Sequence, residues 1–471
     1  MTTQTSLAPA ALSSAGKAPA KSAAMALLTP TKIKILGAAM ALSLAVSGWA
    51  GYNALAAQST QQTTLQTKTA PAIEGVAQAR ASLSDANSNM MESFIGGKRE
   101  ASASWIIYEL DMSQARRAIE GAAETVSSGD QERQPLLEMM SALSDYERLV
   151  GQALAKQGDD SRAYIEAADS LMRTRALPAA DALTHSTTQN MASDDERQSK
   201  AAQRWAAISA AFAVLFLGIA VAGQVWLARK TRRALNAGVA LGTFVAAAAL
   251  VLGSMSFTHA QNASRVAREG AFESINAVWR ARAAVYDANA DEALWMFAKG
   301  DDAKQAIRLS DFAQQIQTLI GSFDAEGAAK KARAGEPFAG YLGQLAQSAK
   351  AKDNGHDKTF DGESDKVASS LDGLATYLFT EKRLHELAQT DFAAAMDWRS
   401  GVNAGWSTWA FSYLDGNLQN VMNVNQAAFD QKSAEASEAL AGYEWKLGGS
   451  LVLILVLCGL GLAARLREYR F

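Results

Sequence analysis

The sequence predicts an all-α membrane protein, with four transmembrane helices and two extracytoplasmic antiparallel helical-bundle domains arising from an internal duplication. Three observations carry this. Four apolar runs, Ile35–Ala57, Trp205–Ala228, Ala237–Phe257 and Leu447–Ala464, contain no charged residue, and each is close to the roughly 20 residues a helix needs to cross a bilayer core. Basic residues flank these runs with a consistent bias. Finally, Ala79–Asn87 (ARASLSDAN) and Ala281–Asn289 (ARAAVYDAN) share Ala-Arg-Ala and Asp-Ala-Asn, at nearly the same distance after the first and third runs.

In chain order, residues 1–32, rich in Ala, Ser, Thr and Pro, read as a disordered cytoplasmic tail. The first span covers residues 35–57. Ala54-Leu55-Ala56 resembles a signal-peptidase site, but the apolar core before it exceeds the roughly 7–15 residues usual for a signal, so the segment is read as an anchor. Residues 58–204 form the first outer bundle. Its rising helix places Val76, Ala79, Leu83, Ala86, Met90 and Phe94 on one face, and Gly96-Gly97 stops it. Helices follow over Ser102–Thr125, from Pro135 through Leu149, and from about Ser161, the last bent at Pro178 and leading into the second span, residues 205–228. A cytoplasmic link occupies residues 229–236 and the third span residues 237–257.

The second bundle, residues 258–446, repeats this plan with an insertion at 321–372, where Gly, Lys, Asp and Pro crowd and only loops and short helices are expected. Its last helix, from about Trp406, leads into the fourth span, residues 447–464, and a cytoplasmic tail at 465–471. At about 1.5 Å per residue, a helix from Ala57 to Phe94 reaches on the order of 50 Å, so the bundles are expected to be tall.

Orientation follows from charge. Lys32 and Lys34, then Arg229, Lys230, Arg232 and Arg233, then Arg465, Arg467 and Arg470 all flank the spans on one side, and short Lys/Arg-rich segments stay cytoplasmic. Both termini are therefore placed inside and both polar stretches outside. The cytoplasmic segments are too short for a catalytic domain, so any message must pass to another protein. The Arg229–Arg233 link and the Arg465–Arg470 tail are candidate contacts for it, although topology and lipid contact account for most of their charge.

A net charge of −3 and the lack of a basic stripe argue against nucleic acid. One cysteine, Cys458, allows no disulfide within the chain, and the four histidines show no metal-ligand spacing. No phosphate loop or nucleophile motif occurs, so the chain reads as a non-enzyme without cofactor or metal. The spans carry no ionisable Asp, Glu, Lys or Arg, which argues against a conduction path.

Two groups stand out as candidate sites. Arg282 and Asn289 fall at the edge of the inner face of the second rising helix, as Arg80 and Asn87 do in the first. Glu292 points inward where the first copy has Met90, while Asp85 and Asp287 point the other way. Buried charges need partners. Arg282, Asn289 and Glu292 form either a network that fixes helix register, the favoured reading, or a polar pocket for a small zwitterion. The second group is aromatic: Trp398, Trp406, Trp409, Phe411 and Tyr413, with Trp295, Met296 and Phe297 expected at the same height. It forms either an apolar cap on the bundle or, from Trp295, Trp398, Trp406, Trp409 and Tyr413, a docking surface for a partner. Gly238 and Gly242 would let another helix, of this chain or of a second copy in an oligomer, approach closely.

The segments DANADEALWMFAKG (Asp287–Gly300), YIEAADSLMRTRALPAADAL (Tyr164–Leu183) and RLREYR (Arg465–Arg470) resemble actinobacterial four-span membrane proteins of the GlnX type, with Asp291-Glu292 inside the shared motif. The resemblance implies a relay between an extracytoplasmic glutamine/glutamate-binding lipoprotein and a cytoplasmic serine/threonine kinase of the PknG type. The alternative from the residues alone is a structural scaffold or assembly subunit of the cell envelope that senses nothing.

Overall fold

The computed structural model describes residues 29–95, 102–125, 131–231, 235–353 and 360–468. Among these every regular element is helical. The first half comprises α1 (Thr29–Thr64), α2 (Ala70–Ile95), α3 (Ala103–Thr125), α4 (Arg133–Leu154), α5 (Gly158–Leu171) and α6 (Leu177–Thr231). The second comprises α7 (Ala237–Arg265), α8 (Glu273–Phe297), α9 (Asp302–Ile320), α10 (Ala325–Ala334), α11 (Tyr341–Asp353), α12 (Glu363–Thr390), α13 (Phe392–Ser400), α14 (Ser407–Leu440) and α15 (Tyr443–Arg467). Four helical stretches are long and apolar enough to cross a membrane. The N-terminal tail, the Gly96-Gly97 stop, and Arg232, Arg233 and Arg470 lie outside the described residues.

The chain divides into two compact units. One holds the described part of Met1–Trp49 with Ser209–Leu250 and the end of the chain from Gly448. Its core is built by Ile33, Met40 and Leu44 of α1, Phe216 and Leu227 of α6, Val239 of α7, and Ile454, Cys458 and Leu462 of α15. Leu42, Phe244 and Leu460 are each about two-thirds exposed or more (67%, 70% and 67%). An apolar exterior around an apolar core suits lipid, where small residues rather than the hydrophobic effect bring helices together. The two anticipated glycines do this. A Cβ on Gly238 would lie 2.6 Å from the Leu457 carbonyl oxygen and 2.8 Å from the Gly461 Cα, and one on Gly242 would lie 2.5 Å from Cys458 Sγ. The helix they meet is therefore α15, and Asn236 Nδ2 donates to the Gly461 carbonyl (2.8 Å). Between α1 and α6, Ser47 and Ser209 each donate to the other's carbonyl (2.9 Å).

The second unit holds Ala50–Ile208 and Val251–Leu447, so the two polar stretches pack together. Of the expected α2 face, Val76, Ala79, Leu83, Ala86 and Met90 are buried, joining Met112, Met139, Tyr146, Ile165 and Met172 in one core, with Phe94 partly buried. The other core gathers Ile316, Leu319, Leu345, Leu371, Tyr377, Leu414 and Val421. Ala293 and Leu294 of α8 enter the first core, and Ile73, Ala77 and Ala81 of α2 enter the second. The two rising helices are thus the seam between the halves. Gln62, Ser84 and Ser88 hydrogen-bond to Ser264, Asp287 and Asn289, pairs separated by 202, 203 and 201 residues, which defines a parallel pair in constant register. Ala77, Ala81, Ser84 and Ser88 form a stripe of small buried residues on α2, well away from the Leu83 face, and small residues let helix backbones approach.

Among the described residues three π-helical turns interrupt the long helices, at Leu65–Thr69, Met172–Ala176 and Val266–Phe272. Two end two residues before a proline, Pro71 and Pro178. A proline has no N–H to offer the preceding turn, and its ring crowds the carbonyl four residues back; the widened turn absorbs both effects. The expected bend at Pro178 is thus a π-turn inside a continuing helix. Residues 321–372 carry short α10 and α11 and the first turns of the long α12. The final helix departs from expectation, because α14 stops at Leu440 and α15 starts at Tyr443, with Gly442 in the left-handed region (φ +66).

Candidate functional site

The seam between α2 and α8 is filled with charge. At its centre Arg399, at the end of α13, is 2% exposed. It pairs with Glu292 Oε1 (2.5 Å) and donates to Asn289 Oδ1 (3.1 Å), the Asn289 carbonyl (3.2 Å) and Ser88 Oγ (3.2 Å). Glu292 also accepts from the Tyr377 hydroxyl (3.1 Å) and from Ser407 Oγ (2.9 Å). The turn between α13 and α14 brings Arg399 and Ser407 to the same carboxylate, and Thr408 Oγ1 fastens that turn to the Arg399 carbonyl (2.5 Å).

Glu381 hydrogen-bonds to Glu292, and two carboxyl groups bonded in this way must share a proton. Burial and the Glu292 charge push the Glu381 carboxyl well above the usual range. Burial also raises Glu292, but Arg399 and the surrounding donors outweigh it and hold that carboxyl below its ordinary value. Glu381 therefore carries the proton and Glu292 the charge.

Arg282 is not part of this cluster. It forms a forked ion pair with Asp415 (2.7 and 3.0 Å), donates to Gln419 (2.9 Å), and lies over the Trp279 ring at 4.8 Å. Of the predicted trio, the structure brings Asn289 and Glu292 together and supplies Arg399 in place of Arg282. Helical periodicity could relate only residues of one helix, whereas Arg399 arrives from 107 residues beyond Glu292.

The first half fills its side of the seam differently. Asn87 donates to Asp169 (2.9 Å) and accepts from the Tyr146 hydroxyl (3.3 Å). Asp169 also binds Arg173 (3.0 Å) and Arg308 (2.8 Å), and Arg173 pairs with Asp291 (2.6 Å). Burial pushes the Asp291 carboxyl up to about 7 against the pull of Arg173. Arg80 bridges Asp181 (2.6 Å) and Asp287 (2.8 Å), and Ser84 donates to Asp287 (2.7 Å). Asp85 bonds to Asp111 of α3; burial and the facing carboxyl raise Asp85 well above its usual value, and burial pushes Asp111 up to about 6. Asp85 and Asp287 were expected to face away from the core. They do leave the Leu83 face, but that side is covered too, because each half lies against the other.

The aromatic residues fall into two groups. Trp295 lies on His385 (4.1 Å), and Trp398 stacks on Trp406 (5.8 Å) with its indole N–H on the Thr380 carbonyl (3.3 Å). Trp295 and Trp398 pack around Met296, Leu384 and Ala395, a small apolar cluster of its own. Trp409 stacks on Tyr413 (5.2 Å, near-parallel) on the side of α14, and Tyr413 is 43% exposed. Among the basic candidates, Arg229, Lys230 and Arg467 are exposed, while Arg465 is buried and paired with Glu468 (3.0 Å).

Among the described residues the fold is all-helical, and its four apolar helices of membrane-spanning length point to a membrane protein. Residues 61–196 match the family model described as an actinobacterial sensor domain, which supports a sensing role. The matched stretch takes in α2 through α5 and the first turns of α6. No curated protein and no solved structure matches the chain.

Proposed function

We propose that this chain is a non-enzymatic transmembrane sensor and relay. It couples extracytoplasmic amino-acid availability, met directly or through a solute-binding lipoprotein, to a cytoplasmic serine/threonine kinase. The observation that carries the proposal is the sensor-domain match over residues 61–196 in a chain with four membrane-length helices. The basic flanks favour termini inside and both bundles outside. The matching registers of α2 and α8 support an origin by duplication. The seam supports a relay because it is made of small residues and ion pairs, and such a contact can exchange partners as one helix moves against another.

The test is recovery of the tagged protein from membranes of cells grown with and without amino acids, with identification of what accompanies it and measurement of kinase-substrate phosphorylation. A relay predicts a partner set and a phosphorylation level that change with amino-acid supply, and a phosphorylation level that loses that dependence when the gene is deleted. An unchanged partner set would instead mark a scaffold.

A further inference from the structure

Glu273, Arg280 and Asp287 follow one another along α8 at seven-residue steps, two helical turns or about 10 Å apart. This face is one wall of a cleft of about 710 Å³, within the range of small-molecule sites. Asp181 and Thr184 of α6 and Arg80 of α2 form a second wall, and Gln315 of α9 with Tyr341 and Gln344 of α11 form a third. Ala77, Ala277, Ala283 and Ala284 keep the space open.

The charges in the cleft are unbalanced in a specific way. At one end a single guanidinium, Arg80, serves two carboxylates, Asp181 and Asp287, and the Asp181 side chain is 56% exposed. One negative charge there is left over, and Glu273, two turns from Arg280 on its other side, is a further carboxylate with no ion pair among the described residues. At mid-length the exposed Arg280 guanidinium lies over the Tyr341 ring (5.4 Å) and forms no ion pair among the described residues. The Gln315 and Gln344 amides also have no hydrogen-bond partner among those residues. An arginine held over an aromatic ring by its cation–π contact can still offer N–H groups to an oxyanion, and a surplus carboxylate about two turns away suits a cation.

We infer that this cleft binds a small dipolar molecule, with its carboxylate or similar oxyanion on Arg280 and its cationic nitrogen at the Asp181–Asp287 carboxylates. The inference rests on the sensing role proposed above and adds the site to it. A ligand held this way ties α6 to α8 across the seam, beside the Arg80 bridge.

The test is calorimetric titration of the full-length chain in nanodiscs with lysine, glutamine, glutamate and glycine betaine, and with butyrate and butylamine as single-charge controls. At least one dipolar compound is expected to bind and the controls not to. Arg280→Ala and Asp181→Asn should each weaken binding about tenfold or more, with Arg280→Lys intermediate. Arg280 is exposed, so its variants should fold, as circular dichroism would verify. Absence of binding by all four compounds, or binding that ignores Arg280→Ala, overturns the inference. If amino-acid-dependent phosphorylation in cells survives Arg280→Ala, the sensing role stands and the cleft is not its ligand site. If binding occurs but the partner set ignores amino acids, the cleft stands and the relay falls.

Discussion

Arg80 and Arg282 occupy matching places on α2 and α8, and each pairs with an aspartate of a later long helix packed in its own half, Asp181 on α6 and Asp415 on α14. From there the halves diverge. Arg80 also reaches across the seam to Asp287, the residue matching Asp85, whereas Asp85 has turned to the Asp111 carboxyl instead. Asn87 binds an acid, Asp169, and Asn289 binds a base, Arg399. Met90 is matched by Glu292. Where α5 runs into α6 through a π-turn at Met172–Ala176, the second half breaks between α13 and α14 and uses the break to deliver Arg399 and Ser407. Both halves bury charge against an apolar core, but at the position where the first half has apolar Met90 the second has Glu292, enclosed by Arg399, Glu381, Tyr377 and Ser407.

That contrast is most directly broken at Arg399. Removing one partner of a buried ion pair strands the other charge at a cost of about 3–5 kcal/mol. Arg399→Met should therefore lower the unfolding midpoint in detergent further than neutralising Asp111 or adding a methyl group at a packed glycine. The double variant Arg399→Met with Glu292→Met, which gives the second half the residue found at Met90, should recover most of the loss. Equal damage from the single and double variants would show that Arg399 acts by filling space rather than through its charge.

Next in size is the Asp85–Asp111 pair. An acid whose folded-state value exceeds its unfolded value near 3.8 binds the proton more tightly when folded. Its stabilising contribution is complete below about pH 4 and is lost as pH rises through the folded value. With Asp111 pushed up to about 6 and Asp85 well above its ordinary value, the α2–α3 contact should weaken from about pH 4 to pH 7, by on the order of 3 kcal/mol for Asp111. Asp111→Asn supplies a neutral donor at every pH and should flatten that part of the profile of thermal midpoint against pH.

Much of this was legible in the sequence, and the part that was not has a physical cause. The spans, the rising helices and the short elements of the insertion follow from hydropathy and a period of 3.6 residues, because those patterns report burial along one helix. The seam was hidden. Ala77, Ala81, Ser84 and Ser88 are small and weakly hydrophobic, so they do not register as a buried face, yet each is at most 9% exposed. Asn289 and Glu292 were found because a polar residue on an apolar face is conspicuous. Arg399 was not, since α13 is too short to display a face, and only the tertiary fold shows where it points.

A smaller effect separates α1 from α7, both of which meet α15. A Cβ on Gly238 would run into backbone atoms of α15, which cannot move aside without parting the helices, while one on Gly37 would meet only the end of the Leu462 side chain at 3.1 Å. Gly238→Ala should cost about 1–3 kcal/mol by overpacking. Gly37→Ala should cost little, because the leucine tip can rotate away. Thermal unfolding in detergent distinguishes them, and equal effects would mean that the α7–α15 contact is looser than its geometry indicates.

The smallest predicted effect concerns the way the two halves end. On the first side α6 continues unbroken to Thr231, while on the second the helix stops at Leu440 and resumes at Tyr443 around Gly442. A Cβ there would have no atom within 4 Å, so space is not limiting and only the left-handed backbone (φ +66) opposes a side chain. Gly442→Ala should cost about 1 kcal/mol, and Gly442→Asn less, since asparagine tolerates this region better than alanine. If Gly442→Ala is instead neutral or stabilising, the break has closed into continuous helix, and α14–α15 would match α6 after all. Amide hydrogen exchange over residues 438–446 would reveal this directly, through slower exchange in the variant than in the parent.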